Sequence, residues 1–210
     1  PAPDQLLRVV VAAGFYRARL KSVYQVLRGK DITTGRFSQE LRDKQFAILS
    51  ASQEQVLDLK HWHLFLNAIQ SAGFRSKDLI SSEIGLLYTY VFYLIGKTQC
   101  HVPDRVLERL IGRWFYFLSV TARYSGSTES IMDEDLNRVK DLDTSESFMD
   151  VLERVMATTL TDDFWRTTLP FTLVTSSSRN PAMLAFYAAQ CQLGAPVLFS
   201  DKRVADLFDP

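Results

Sequence analysis

The sequence changes character within one helical turn between residues 113 and 130. Residues 113–122, RWFYFLSVTA, are mostly apolar and aromatic, whereas residues 123–130, RYSGSTES, are small and polar. Hydroxyl groups, arginine and the start of a helix are all groups that bind phosphate. The same groups also cap a turn between two helices by bonding nearby backbone. The segment is therefore a contact for DNA phosphate or a neighbouring domain, or a capped turn. The candidate contact residues are Arg113, Arg123, Tyr124, Ser125, Ser127 and Glu129.

The residues that could perform catalysis are each better explained by a structural role. Ser125-Gly126-Ser127 resembles a nucleophile loop in composition only, since no histidine lies near it in sequence. Asp133-Glu134-Asp135 lies near a helix start and is expected to be solvated, whereas acid–base catalysis needs a carboxyl group in an apolar pocket. Asp162-Asp163 is explained by helix N-capping. We therefore expect no catalytic residues, no cofactor and no metal ligands in this chain.

The cysteine and histidine residues also argue against a metal centre. Cys100 and Cys191 lie far apart, so they form neither a disulfide framework nor a metal cluster, and a reducing cytoplasm fits them. His61 and His63 are two positions apart and point to different faces of a helix. The most apolar window, residues 86–96, is too short to span a bilayer, so no membrane contact is expected.

The net charge of the whole chain is zero, but the charges are unevenly distributed. Residues 1–30 carry six basic side chains against Asp4 alone, a net charge of +5, and residues 128–163 carry eleven acids against three bases, a net charge of −8. Either two helix faces of opposite sign pack together, or a basic face binds a polyanion such as duplex DNA. On a single helix spanning 4–28, Arg17, Lys21 and Arg28 share a stripe, which makes them candidates for weak DNA contacts.

The elements that must position these residues are helices, because the apolar periodicity is helical nearly everywhere. Capping residues and prolines predict helix starts at Ser38, Asp58, Ser81, Pro103, Ser127 or Thr128, Thr144, Thr161, Asn180 and Ser200. The helix after Thr161 is expected to end at Pro170, and 196–199 is the one plausible extended segment. Trp114 and Phe117 are expected in the core. We predict one all-α domain over 1–210, a bundle or irregular array of about nine or ten helices.

Several segments in the same order resemble the helical region of the GmrSD-type modification-dependent restriction proteins. Each segment is short and weakly specific, but together they cover almost the whole chain. The segments are 23–30, 62–66, 72–74, 79–82, 111–115, 123–130, 133–136, 179–182 and 194–199.

The resemblance implies a bacterial phage-defence protein with two further domains. In that family a ParB/sulfiredoxin-like N-terminal domain with an Asp-Gly-Gln-Gln-Arg-like motif hydrolyses a nucleotide. A C-terminal HNH-type region with an Arg-His-His-like motif cuts DNA. Neither motif is in this sequence, which begins Pro-Ala-Pro and is expected to be part of a longer protein. The resemblance therefore implies a non-catalytic helical segment whose partners are the adjacent domains.

Two alternatives remain open from the residues themselves. The chain could be a self-contained helical enzyme or ligand-binding domain whose site assembles from scattered residues such as Arg113, Asp162, Asp163 and Trp165. It could also be a protein-interaction scaffold without any small-molecule site.

Overall fold

The computed structural model of the chain describes residues 2–31, 34–125, 128–175, 177 and 179–208. This described part is all-α, as predicted, with ten α-helices, no β-strand and two isolated β-bridges, Lys30 to Phe37 and Pro196 to Arg203. The helices are α1 Pro3–Phe15, α2 Leu20–Leu27, α3 Gln39–Leu57, α4 Leu59–Ser71, α5 Glu83–Leu94, α6 Asp104–Thr121, α7 Thr128–Val139, α8 Ser145–Thr159, α9 Leu169–Thr175 and α10 Pro181–Gln192.

Helices α5 and α6 form the centre of the array. Every residue from 87 to 94 in α5 is buried, because the sequence there is apolar or aromatic on all sides. Helix α6 packs against α4, α5, α8 and α10, and α5 packs against α1 and α4. Trp114 and Phe117 of α6 are 0% exposed, which confirms that they belong to the core.

The predicted caps are confirmed at most helix starts. The side chain of Ser38 accepts a hydrogen bond from the Leu41 N–H at 3.0 Å, and Asp58 accepts one from the Lys60 N–H at 2.8 Å. Ser82, Thr144 and Asn180 cap α5, α8 and α10 in the same way. Each cap satisfies a backbone donor that has no partner inside its helix, so these sequence positions set the helix boundaries.

The prediction of one helix over 4–28 is wrong. The chain leaves α1 at Tyr16, which has a φ of 55°, and re-enters a helix at Leu20. Distant side chains satisfy the backbone at the break. Asp133 accepts a hydrogen bond from the Ala18 N–H at 2.5 Å, and the Tyr88 hydroxyl donates one to the Ala18 carbonyl at 2.9 Å. Arg17 therefore lies in the break, and the stripe predicted for Arg17, Lys21 and Arg28 does not exist.

Two predictions near the C-terminal end are also wrong. Pro170 does not end a helix. The helical backbone continues through Pro170 without a break. A π-helical turn, Phe164–Thr168, comes directly before α9, and the Leu169 N–H donates a hydrogen bond to the Phe164 carbonyl, five residues back. No helix begins at Ser200, whose hydroxyl instead caps a tight turn by accepting from the Lys202 N–H. A short 3₁₀ helix, Val204–Leu207, follows. Within 196–199 Pro196 forms a β-bridge with Arg203, and Leu198 and Phe199 lie in a turn.

The described helices include none that is both long enough and apolar enough to cross a membrane.

Buried tyrosines make the fold sensitive to high pH. Burial raises the pKa of Tyr93 from its ordinary value of 10.0 to about 12, and burial also raises the pKa of Tyr88, Tyr90 and Tyr124. An unfolded chain ionises these phenols at lower pH than the folded chain does. Their stabilising contribution is therefore complete below about pH 10 and is lost as the pH rises towards the folded pKa values.

We expect the free energy of unfolding in urea to fall steadily from about pH 9 to about pH 11. In the variant Tyr93→Phe, the free energy of unfolding is expected to fall by less over the same pH interval. Tyr24→Phe is the matched control, because the Tyr24 ring is 59% exposed and its removal takes away no buried phenol. A stability that stays constant over this interval would contradict the prediction.

Candidate functional site

The polar corner after α6 contains a buried ion pair. Arg123 donates two hydrogen bonds to the carboxylate of Asp135 on α7, from Nε to Oδ2 at 2.9 Å and from Nη2 to Oδ1 at 2.8 Å. The Asp135 side chain is 1% exposed and that of Arg123 is 18% exposed. Such parallel hydrogen bonds are the strong form of an arginine–carboxylate interaction. The guanidinium group predicted to contact DNA phosphate is therefore occupied by a carboxylate of the same chain.

Tyr124 completes this network. Its hydroxyl donates to Oδ2 of Asp135 at 3.1 Å, and the side chain is 7% exposed. Burial, followed by the charge of Asp135, raises the pKa of Tyr124 well above its ordinary value, so the phenol stays protonated and remains a donor. The hydrogen bond to Asp135 also raises the pKa of Arg123. Arg123, Tyr124 and Asp135 thus form a closed polar cluster, which we call the corner cluster.

The hydroxyl groups of the corner bond the backbone. Ser125 Oγ donates to the Ala122 carbonyl at 2.7 Å, and Thr128 Oγ1 donates to the Tyr124 carbonyl at 2.9 Å. These contacts are those of a capped turn between helices, which was the alternative to a contact with DNA phosphate or a neighbouring domain. Ser127, one of the predicted contact residues, lies outside the described residues.

Helix α7 presents a second polar face to the beginning of the chain. Glu129, Asp133 and Asn137 are spaced four residues apart, so they lie on one side of α7; we call them the α7 stripe. Each one meets a basic residue of α1 or of the break after it. Arg8 Nη1 lies 2.8 Å from Glu129 Oε1, Arg19 Nε lies 3.0 Å from Asp133 Oδ2, and Arg17 donates to the side-chain carbonyl of Asn137.

The two oppositely charged regions of the sequence therefore pack together, which was the first of the two interpretations of the charge pattern. Three of the six basic residues in 1–30 contact the α7 stripe. Lys21 and Arg28 are exposed, and neither forms an ion pair within the described part of the chain. They are the members of the predicted DNA-contact set that remain available to a ligand.

Arg113 lies apart from the corner cluster. It projects from α6 with 62% of its side chain exposed, and its Nη1 lies 2.8 Å from Oε1 of Glu153 on α8. The structure thus separates Arg113 from Arg123, although the sequence placed them in one candidate set. The expectation that Asp135 is solvated is wrong, because its side chain is 1% exposed and binds Arg123. Arg8, which was not among the candidate contacts, also takes part in the polar network through Glu129. The four-residue spacing of the α7 stripe was the signal that could have identified its face.

The scattered residues that could form an active site, Arg113, Asp162, Asp163 and Trp165, include no buried carboxylate. Asp162 is 91% exposed and lies 3.9 Å from Arg166. Asp163 is also exposed at the surface. Trp165 and Arg113 do lie on a common groove, but neither acid belongs to that groove. The described residues contain no group of three or more His, Cys, Asp or Glu side chains that could hold a metal ion.

That groove is a concave surface with a volume of about 780 Å³. Residues of α4, α6, α8 and α10 and the π turn before α9 line it, and we call it the α6 groove. Small and large apolar side chains make up most of the lining. They are Ala68, Ala72, Gly112, Tyr116, Met156, Ala157, Leu160, Trp165, Ala189 and Leu193.

No protein-family model matches this chain, and no curated protein or solved structure matches it either.

Proposed function

We propose that this chain is a helical domain without catalytic residues of its own that joins neighbouring domains of a modification-dependent restriction protein. Its main support in the structure is an exposed apolar surface in the last quarter of the chain. Eight large apolar side chains of the described residues are exposed there, and apolar surface patches on soluble proteins often mark interaction sites. They are Trp165, Phe171, Val174, Phe186, Leu193, Leu198, Phe199 and Leu207.

The exposure of apolar side chains is clearest in helix α9 and the π turn before it. No residue from 161 to 174 is buried, although Phe164, Trp165, Phe171 and Val174 are large and apolar. A helix in a globular protein is stabilised chiefly by burying its apolar face. Within the described chain Trp165 and Val174 remain exposed, so a surface of another domain or protein would supply their burial. The resemblance of the sequence to restriction proteins suggests that adjacent domains are that surface.

The contacts of α7 support a coupling role for the same domain. Residues 8–19 contact the α7 stripe, and another face of α7 carries Asp135, which binds Arg123 at the end of α6. Helix α6 in turn packs in the centre of the array. A displacement of the N-terminal segment would therefore act through polar contacts on the helix that lines the α6 groove. This path would connect an N-terminal nucleotide-binding domain to a C-terminal DNA-cutting domain.

A second candidate function is weak contact with duplex DNA, which the exposed and unpaired Lys21 and Arg28 favour. Two phosphate contacts would give a salt dependence with a slope of only about −1.8 in a log–log plot. Contacts of this kind read no base sequence.

The proposal predicts that the purified 210-residue chain hydrolyses neither GTP nor ATP and leaves plasmid DNA intact. The physical reason is that the described carboxyl groups are exposed or bonded to partners in the same chain, so none of them lies without a partner in an apolar pocket, where acid–base catalysis places such a group. Phosphate release and gel mobility are the measurements. Turnover that a single substitution in the described residues abolishes would contradict the prediction.

The experiment that tests the proposal is to determine the open reading frame around these 210 codons. We expect an Asp-Gly-Gln-Gln-Arg-like motif before residue 1 and an Arg-His-His-like motif soon after residue 210. A frame that encodes no further domain on either side would overturn the proposal.

A further inference from the structure

A smaller cavity adjoins the α6 groove and lies between α4, α5 and α6; we call it the Tyr93 cavity. Its volume is about 380 Å³, which lies in the range of cavities that hold small organic molecules. Ser71 and Glu108 line both the cavity and the groove, so they form the boundary between them. The remaining lining residues are Leu64, Asn67, Gln70, Tyr93 and Asp104.

The hydroxyl group of Tyr93 has no hydrogen-bond partner, although the side chain is buried. Tyr93 is 4% exposed. The hydroxyl groups of the buried Tyr88 and Tyr90 donate to backbone carbonyls, whereas that of Tyr93 bonds none of the described residues. Buried polar groups in folded proteins nearly always have a partner. The cavity beside Tyr93 is where a ligand would supply one.

The position of the Tyr93 ring is fixed by its neighbours. Its ring centre lies 6.0 Å from that of Phe65 and 6.2 Å from that of His61. Burial, followed by the charge of Asp104, raises the pKa of Tyr93, which agrees with a hydroxyl group directed towards the cavity wall that Asp104 forms. The phenol therefore presents a protonated oxygen to the cavity, and this oxygen both donates and accepts hydrogen bonds.

The charged residues that line the Tyr93 cavity are all acidic. Asp104 pairs with Lys97, so its charge is compensated within the chain. Glu108 accepts a hydrogen bond from the Ser71 hydroxyl at 2.9 Å and forms no ion pair with a described residue. One carboxylate of the lining is therefore without a cation, and a single positive charge on a ligand would complement it.

The arginines of α6 face away from this cavity. Arg105 and Arg109 each follow one of the two acids by one position, which corresponds to a rotation of about 100° around the helix. Arg109 lines the α6 groove, and neither arginine is among the residues that line the Tyr93 cavity. The charge of Glu108 is therefore not offset inside the cavity.

Two side-chain amides on α4 supply the neutral part of the lining. Asn67 and Gln70 are exposed, and their side chains form no hydrogen bond with any described residue. An amide side chain both donates and accepts hydrogen bonds, as a hydroxyl group does. Hydroxyl groups on a ligand would therefore match this wall of the cavity.

From these observations we infer that the Tyr93 cavity binds a small organic molecule that carries one ammonium group and at least one hydroxyl group. The ammonium group donates hydrogen bonds to the carboxylate of Glu108 and to the phenol oxygen of Tyr93, and the hydroxyl group bonds Asn67 or Gln70. An ammonium group has three donors and no acceptor, which suits these oxygen acceptors. The site lies within the chain and needs no neighbouring domain, so it goes beyond the proposed function.

The test titrates three probes of similar size into the ¹⁵N-labelled 210-residue chain at neutral pH. They are the cation 4-aminobutanol, the neutral 1,4-butanediol, which has a hydroxyl in place of the ammonium group, and the anion 4-hydroxybutyrate. Shifts of the backbone amide NMR signals of α4 and α6 beside the cavity measure binding. Circular dichroism checks that each variant of the chain is folded.

We expect 4-aminobutanol to bind at least about tenfold more tightly than 1,4-butanediol, because a hydrogen bond to a charged group is worth about that factor. The anion should not bind. Glu108→Gln keeps the shape of the side chain and should abolish the preference for the amine. Tyr93→Phe removes only the hydroxyl group and should weaken binding of the amine about threefold. Glu153→Gln is the matched control, because Glu153 lies on α8, is 52% exposed and does not line the cavity.

Three results would overturn the inference. The first is that 4-aminobutanol leaves the amide signals beside the cavity unshifted. The second is that 1,4-butanediol binds as tightly as the amine, which would show a site for neutral hydroxyl compounds without selection for charge. The third is that Glu108→Gln and Tyr93→Phe weaken binding no more than Glu153→Gln does, which would place the amine elsewhere. A failure of the proposed function appears instead in the reading frame, so the two failures can be told apart.

Discussion

Asp135→Ala is expected to destabilise the folded chain by about 3–5 kcal/mol. Asp135 is 1% exposed and accepts two hydrogen bonds from Arg123 and one from Tyr124. Its removal leaves a largely buried guanidinium group without a carboxylate and a buried phenol without an acceptor. The loss of stability is larger than the net contribution of the ion pair, because a buried polar group without a partner has given up its hydrogen bonds to water and gains none in return. Urea denaturation followed by circular dichroism measures the change.

Glu134→Ala is the matched control for this substitution. Glu134 is the preceding acid, its side chain is 58% exposed, and it pairs with Arg138 one helical turn away. An exposed pair of this kind contributes well under about 1 kcal/mol. The double variant Arg123→Ala/Asp135→Ala should lose less than the sum of the two single variants, because no unpaired charge remains. Equal losses for Asp135→Ala and Glu134→Ala would show that the corner cluster does not support the fold.

Trp114→Ala is expected to cost about 3–5 kcal/mol, the range for truncation of a large buried aromatic side chain. Trp114 is 0% exposed, and its ring centre lies 5.2 Å from that of Phe92 and 5.3 Å from that of Phe117. The substitution leaves a cavity in the middle of the α5–α6 contact. Chemical denaturation of the folded chain again measures the loss.

Trp165→Ala serves as the comparison, because Trp165 is 43% exposed beside the α6 groove and its removal should cost less than about 1 kcal/mol. Trp114→Phe should cost less than Trp114→Ala. It keeps most of the aromatic volume and removes an indole N–H that has no acceptor among the described residues. A loss near zero for Trp114→Ala would contradict the assignment of this aromatic stripe to the core.

The parts of the fold that the sequence predicted correctly depend on local interactions. Ser38, Asp58 and Thr144 cap helices through hydrogen bonds to donors two or three residues away, so a short window of sequence contains the whole interaction. Helix α5 is likewise recognisable from its own apolar sequence. The all-α class follows from such elements without knowledge of how they pack.

The break between α1 and α2 could not be predicted in this way. Its backbone is stabilised by Asp133 and Tyr88, which lie 115 and 70 residues away from Ala18 along the chain. The local apolar pattern continues through the break, so periodicity alone favours one long helix. The π turn before Pro170 is a similar case, because a change of hydrogen-bond spacing leaves no signature in composition.

For the candidate site, the sequence predicted the chemistry of the corner but not its partners. The charge asymmetry between 1–30 and 128–163 indicated that two regions could attract each other. Which arginine meets which acid depends on the packing of α1 and α7. The α6 groove is a wholly tertiary feature, since residues from five separate helical segments line it. Exposure of Trp165 and Leu193 could not be inferred from residue type, which alone favours burial.

A titration of labelled duplex DNA with the 210-residue chain tests most directly whether the N-terminal arginines and Arg123 serve the fold or a ligand. Duplexes with and without modified bases are compared at low salt and at physiological salt. Because Arg8, Arg17, Arg19 and Arg123 contact α7, we expect binding that is weak at low salt, undetectable at physiological salt and identical for modified and unmodified duplexes. Tight, salt-resistant or modification-selective binding would contradict this assignment and would place a DNA-sensing site in these helices.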